Sequence, residues 1–225
     1  MRRFSLLIAA VVALICSPVA NAQYYEIANQ LPKLISPALS GSLNYKGYVE
    51  FSGLAGLGDN RANFLEISTT QGFKYASWFF MGVGVGVDVV MAQDPDGQAG
   101  LPDEDLPDYY GHGYSKTKAM IPVFSDFRFM IGPESGTSFF IDLKLGAAWL
   151  MGSSYLRMNR GCLTNQTQFY FKPSLGIRIP VSSQNPRQAV NIGVTYQLLT
   201  SNNNYNWYDR SLTLNSIGAT IGFEW

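Results

Sequence analysis

From residue 43 to residue 225 the chain returns eight times to one pattern, apolar residues at every second position with charged, small or hydroxylated residues between them. The sharpest copy is 121–149, IPVFSDFRFMIGPESGTSFFIDLKLGAAW. Val123, Phe127, Phe129 and Ile131 alternate there with Asp126 and Arg128. After the turn GPESGT, Phe139, Ile141, Leu143, Leu145 and Trp149 alternate with Asp142 and Lys144. Period two places alternate residues on opposite faces of a strand, and a Gly/Pro/Ser turn between two such runs predicts a β-hairpin.

Six further segments follow the same rule. They are Leu43 to Gly53, Ala62 to Gly72, Trp78 to Met91, Phe169 to Ile179, Ala189 to Leu199 and Leu212 to Trp225. Leu214 breaks the phase of the last one, which predicts a bulge near Asn215. Each apolar face is about 9–11 residues long, the length of a tilted membrane-spanning strand. If the polar faces met lipid, Lys46, Arg128, Lys144, Lys172 and Arg178 would each cost about 2–4 kcal/mol at mid-bilayer. The polar faces are therefore expected to line a lumen. A soluble barrel with the inverse arrangement, apolar inside and charged outside, is the rival.

The connections decide between them. Those at 71–77, 132–137 and 180–188 are compact, whereas 54–61, 92–118, 152–168 and 200–209 are mostly longer and more polar. Short periplasmic turns and longer outer loops alternate in this way in outer-membrane barrels. The fold class expected is all-β, an eight-stranded antiparallel up-and-down transmembrane β-barrel over 41–225, with both termini periplasmic. Composition agrees: charged residues are 14%, against about 25% in soluble domains, aromatics are also 14%, and there are 22 glycines.

The N-terminus is expected to be a signal peptide, 1–22. Arg2 and Arg3 precede an apolar run from Phe4 to Ile15, and Ala20-Asn21-Ala22 forms a small-x-small cleavage site. Leu14 and Ile15 do not supply the small residue that lipidation at Cys16 would need. Cleavage leaves Cys162 as the one cysteine of the mature chain, so no internal disulfide forms. Residues 23–40, with Pro32 and Pro37, are expected as a periplasmic lead-in, with a plug inside the barrel as the alternative.

Inside the barrel, acids and bases nearly balance. The expected lumen network is Lys46, Glu50, Glu66, Asp88, Asp126, Arg128, Asp142, Lys144, Lys172, Arg178 and Glu224. An eight-stranded interior is just wide enough for side chains to fill, and buried charges need partners. The network is expected to seal the lumen, with a proton or ion path as the alternative. Gly82, Gly84 and Gly86 would leave room for Trp78, Phe80 or other large inward residues. Phe73, Tyr75, Trp78, Phe79, Phe139, Phe140, Trp149 and Trp225 gather near strand ends, as in an interfacial girdle.

The final strand, Ile217-Gly218-Ala219-Thr220-Ile221-Gly222-Phe223-Glu224-Trp225, ends on an aromatic with alternating apolar residues. It resembles the C-terminal signal of outer-membrane barrels, which implies an assembly signal at Ile221, Phe223 and Trp225 read by the barrel assembly machinery. With the signal peptide and eight strands, the chain resembles small barrels of the outer membrane protein X and OmpA-like transmembrane type. Segments such as STTQGFKYASWFFMGVGVG and IPVFSDFRF are similar to small barrels of Bacteroidetes-type bacteria. With the chain ending at Trp225, no peptidoglycan-binding domain of the OmpA kind is expected. The resemblance covers about 41–225 and speaks to architecture rather than function.

No catalytic, cofactor or metal site is expected. GVGVGV lacks the spacing, Lys-Ser/Thr and helix of a phosphate loop, and zero net charge gives no case for nucleic acid. His112 is the one histidine and sits between two glycines, with Asp108 and Ser115 nearby in sequence. That is poor preorganisation. Asp94, Asp96, Asp103, Glu104, Asp105 and Asp108 read as a solvated acidic loop rather than a Ca²⁺ site. Tyr109, Tyr110 and Tyr114 could serve a surface partner through loop 92–118 or equally rest on the barrel rim. The expected function is a non-enzymatic outer-membrane barrel with a closed, charge-filled lumen. A narrow porin-like pore is second, and a lipid-modifying enzyme is third.

Overall fold

The computed structural model describes residues 44–58, 60–93, 114–158, 161–163, 166–182, 187–201, 204–205, 208–209 and 212–225. The expected signal peptide and lead-in, His112 with the acidic residues of its loop, and the Cys162 side chain lie outside them.

Eight strands form a closed antiparallel barrel. They are β1 (Asn44–Leu57), β2 (Arg61–Ala76), β3 (Phe79–Gln93), β4 (Thr117–Ile131), β5 (Ser138–Leu150), β6 (Gln168–Pro180), β7 (Ala189–Ser201) and β8 (Leu212–Glu224). Each pairs with its sequence neighbours, and β8 closes on β1 with Tyr48 opposite Glu224 and Leu57 opposite Asn215. The up-and-down topology follows from the pattern itself. Consecutive alternating runs joined by short links pair as hairpins, and closure leaves no edge unpaired.

The apolar faces look outward on all eight strands. Val49 and Phe51, Leu65 and Ile67, Val85 and Val87, Ile131, Ile141 and Leu145, Leu175, Ile192 and Val194, and Ile217 and Ile221 are all exposed. An apolar surface running around the whole circumference has no place in water. On a transmembrane barrel it is the lipid face. At the end where β2–β3, β4–β5 and β6–β7 turn, aromatic rings cluster on this face. Tyr45 packs on Phe73, Trp78 stacks on Phe129 with centroids 6.1 Å apart, and Phe223 lies against Trp225.

Four sequence expectations need correction. The ladder between β7 and β8 runs without a shift from Ala189–Glu224 to Ser201–Leu212, so there is no bulge near Asn215. Leu214 is in phase and buried; the inward face simply turns apolar there. The irregularity that does occur is in β2, between Lys74 and Ala76. Trp78 is not a lumen residue: at 56% exposure it lies on the outer face, and only Phe80 turns inward. Phe140 leaves the outer girdle for the interior, where it is 1% exposed. The connection at 54–61 is not long, because β1 runs through Leu57 and only residues 58–60 join it to β2, with Gly58 at φ 82°. Pairing continues past the membrane because β1, β2, β3 and β4 have 14, 16, 15 and 15 residues, more than the ~9–11 that a span needs.

Candidate functional site

The inward residues build a filled interior in levels. All eleven expected network residues, Lys46, Glu50, Glu66, Asp88, Asp126, Arg128, Asp142, Lys144, Lys172, Arg178 and Glu224, are buried and face inward. Ile221, Phe223 and Trp225 face outward.

At the end with the short turns, Arg178 on β6 donates to both carboxylate oxygens of Glu224 on β8, at 2.8–3.0 Å. Lys46 on β1 pairs with the same carboxylate. The β4–β5 turn folds beneath them. Gly132 adopts φ 127°, a conformation open to glycine, and Glu134 reaches Lys74 at 2.7 Å and Lys46 at 3.5 Å. Arg178 also donates to the Glu134 carbonyl at 2.8 Å. The turn thus straps β4 and β5 to β1, β2 and β6 across the mouth. Burial alone would raise the Glu134 pKa. The hydrogen bond and charge of Lys74, with Lys46 and Arg178 behind it, outweigh that and hold the carboxyl below the usual carboxylate range.

At the next level the Arg128 guanidinium lies 4.0 Å over the Tyr48 ring and 5.0 Å from the Phe140 ring centre. Its Nη2 donates to Glu50 at 2.7 Å and to Asp142 at 2.9 Å. Lys144 bridges the same two acids, pairing with Glu50 and lying 3.1 Å from Asp142. Such a clamp needs each member, since removing one partner of a buried pair leaves an uncompensated charge. Above it, Glu66 pairs with Lys172 at 2.8 Å and accepts from the Tyr170 hydroxyl at 3.0 Å. Lys172 also donates to Ser52.

The end with the longer connections is mainly apolar inside, with Lys118 donating to the Ser154 carbonyl at its edge. Leu54, Phe64, Val90, Met120, Phe124, Ala148, Leu150, Tyr170, Leu199 and Leu214 pack as one cluster, with Leu156 and Leu163 from the β5–β6 connection inserted among them. Short strands at Tyr155–Met158 and Gly161–Leu163 form a hairpin there, and Tyr114–Ser115 adds to it in parallel. Ser115, which sequence places near His112, faces Ser154 at 3.5 Å. Gly84 makes the space for Phe124, since a β-carbon there would sit 2.4 Å from the ring.

Sequence reasoning missed Lys74, Lys118, Glu134 and the apolar cluster. Lys74 continues the inward phase two residues past Gly72, and Lys118 precedes the expected start of its strand. Longer strands would have found both. Glu134 carried no signal, because a turn glutamate is ordinarily solvated.

No family model matches the chain, and no curated protein matches it. Several solved structures do. Neisserial surface protein A is 9% identical, with a TM-score of 0.50 over 80% of this chain and 95% of that one. The outer membrane enzyme PagL is 12% identical, with a TM-score of 0.47 over 77% and 97%. Ail, the attachment invasion locus protein of Yersinia pestis, is 9% identical, with a TM-score of 0.37 over 80% and 97%. At such identities the likeness concerns the fold. The chain is an eight-stranded transmembrane β-barrel with the architecture of the small outer-membrane barrels.

Proposed function

We propose that this protein is a non-enzymatic integral outer-membrane barrel whose lumen is closed, with both termini in the periplasm and the longer connections facing the outside. The observation that carries this reading is the stacking of three seals along one axis. These are the Glu134 strap and its bases at the periplasmic mouth, the Arg128–Glu50–Lys144–Asp142 clamp in the middle, and the apolar cluster at the outer mouth. Each would stop an ion by a different means. Orientation is supported by the short turns and aromatic rings at one end and the longer connections at the other. The apolar outer face fits outer-membrane lipid, and the outward Ile221, Phe223 and Trp225 fit a signal for the barrel assembly machinery. The role then falls to the outer surface, as a structural protein or as a platform for an extracellular ligand or surface partner through loop 92–118.

Planar-bilayer recording tests the closed lumen. The expected trace is flat at neutral pH and moderate salt, and regular unitary openings would overturn the reading in favour of a narrow pore. For the enzymatic alternative, lipid A is compared by mass spectrometry in cells with and without the protein. The expected spectra are the same, and a difference abolished by His112→Ala would replace the proposal with a lipid-modifying enzyme.

A further inference from the structure

The middle of the lumen does not balance its charge. Glu50, Asp126 and Asp142 each offer a carboxylate oxygen, and these atoms lie within 4.8 Å of one another. Arg128 and Lys144 supply two positive charges against these three negative ones, and both spend them on Glu50 and Asp142. Asp126 is left out. It is fully buried, and among the described residues no donor reaches either of its oxygens, nor Asp142 Oδ1 on the carboxylate it lies against. Asp88, opposite Glu66, is equally buried and unpartnered, but among the described residues no third acid converges on that pair, so a three-carboxylate ligand set exists at the Asp126 level alone. The backbone register explains why. On β3 the residue opposite Asp126 is Gly82, which brings no donor. On β5 it is Lys144, whose ammonium is already held by two other acids. The surplus positive charge at the short-turn mouth, three bases against Glu134 and Glu224, lies where Glu134 is 40% exposed and opens the ring to water. Tyr48, the inward residue between Lys46 and Glu50, and the Phe140 ring occupy the level between.

An unneutralised carboxylate in such a place is costly enough that it must take up either a proton or a cation. We propose that Asp126, Asp142 and Glu50 bind one monovalent hard cation of about the size of Na⁺, which is enclosed as the barrel folds and completes the clamp. Oxygen ligands suit a hard cation. Oxygens at roughly 2.3–2.6 Å from a hard cation lie at most about 5 Å apart, so carboxylate oxygens within 4.8 Å of one another can share one ion. Charge selects the valence: one positive charge brings three acids and two bases to zero, and a divalent ion would overshoot. Asp126 supplies two open oxygens and Asp142 one, while Glu50 contributes a remaining lone pair. This revises the sequence expectation that the chain carries no metal. It requires only that this level be buried, so it stands whether or not the barrel conducts.

The test folds the chain with and without a suitable ion. The mature protein is refolded from urea into detergent micelles in NaCl, KCl or N-methylglucamine chloride, at equal ionic strength and pH 8. Thermal midpoints are then read from the loss of heat-modifiable mobility on gels. The expected result is a higher midpoint in Na⁺ or K⁺ than in N-methylglucamine, a difference lost in Asp126→Asn and kept in Asp88→Asn. A wild-type midpoint indifferent to the cation but sensitive to pH would assign the missing charge to a proton and overturn the proposal. So would a cation effect lost equally in Asp88→Asn. Should Asp126→Asn not fold, wild-type crystals grown with thallium acetate decide. An anomalous peak among the three carboxylates supports the site, and no peak there overturns it.

Discussion

The two halves of the lumen are filled by opposite chemistry. Toward the short turns the inward residues include Lys46, Lys74, Arg128, Asp142, Arg178 and Glu224; toward the longer connections they include Leu54, Phe64, Met120, Phe124, Leu199 and Leu214, with Lys118 and Gln168 as polar exceptions. Both halves occupy the same eight strands with the same inward phase. The apolar half needs nothing but volume, and so it can borrow Leu156 and Leu163 from a connection. The charged half must satisfy each member with a particular partner, and so its residues are tied across distant strands, as Glu50 on β1 is to Lys144 on β5. One half is expected to tolerate approximate substitution, and the other not.

Replacing a member of the charged half tests that contrast most severely. Arg128→Leu leaves Glu50 and Asp142 short of their shared donor and empties the slot between Tyr48 and Phe140. A loss of about 3–5 kcal/mol is expected, read as a lowered urea midpoint in micelles. A change below about 1 kcal/mol would mean that the clamp behaves like a surface pair. In the apolar half, Leu214→Ala should cost about 2–5 kcal/mol according to how far the cluster collapses. Leu214→Met should cost less than about 1.5 kcal/mol in the same assay. Equal losses from Ala and Met would show that position 214 demands shape as strictly as the clamp demands charge.

The smallest effect sharpens the comparison at the short-turn mouth. The Glu134 carboxyl titrates below its ordinary range when folded. Its contribution is therefore complete above the unfolded pKa of about 4.3 and is lost as pH falls through the folded value. Thermal midpoints should decline modestly on acidification below about pH 4.3, and Glu134→Gln should flatten that part of the profile. An unchanged profile in Glu134→Gln would show that the strap contributes nothing through its charge.

Much of this was legible in the sequence because a strand face is set by parity. Once Asp126 and Arg128 are assigned inward, Phe127 and Phe129 must face lipid, and the eleven network residues follow strand by strand. Parity failed where composition changed along a face. Leu214 looked like a phase break because an inward leucine resembles an outward one, and only the ladder separates the two. Phe140 looked like a girdle residue for the same reason. Pairing across the barrel was beyond reach altogether. Glu50 and Lys144 are 94 residues apart, and no spacing rule joins them. The fold was thus readable as a pattern, whereas the clamp, the strap and the unpartnered Asp126 depend on curvature and register together.

The seam between β1 and β8 checks its own register. Glu224 sits there between Lys46 on one neighbour and Arg178 one strand beyond the other. A slip of one residue along β8 would turn every side chain to the opposite face. It would send this carboxylate into lipid and leave two cations facing each other in the short-turn mouth. A last strand mispaired by one residue is therefore rejected twice, once by the membrane and once by the lumen.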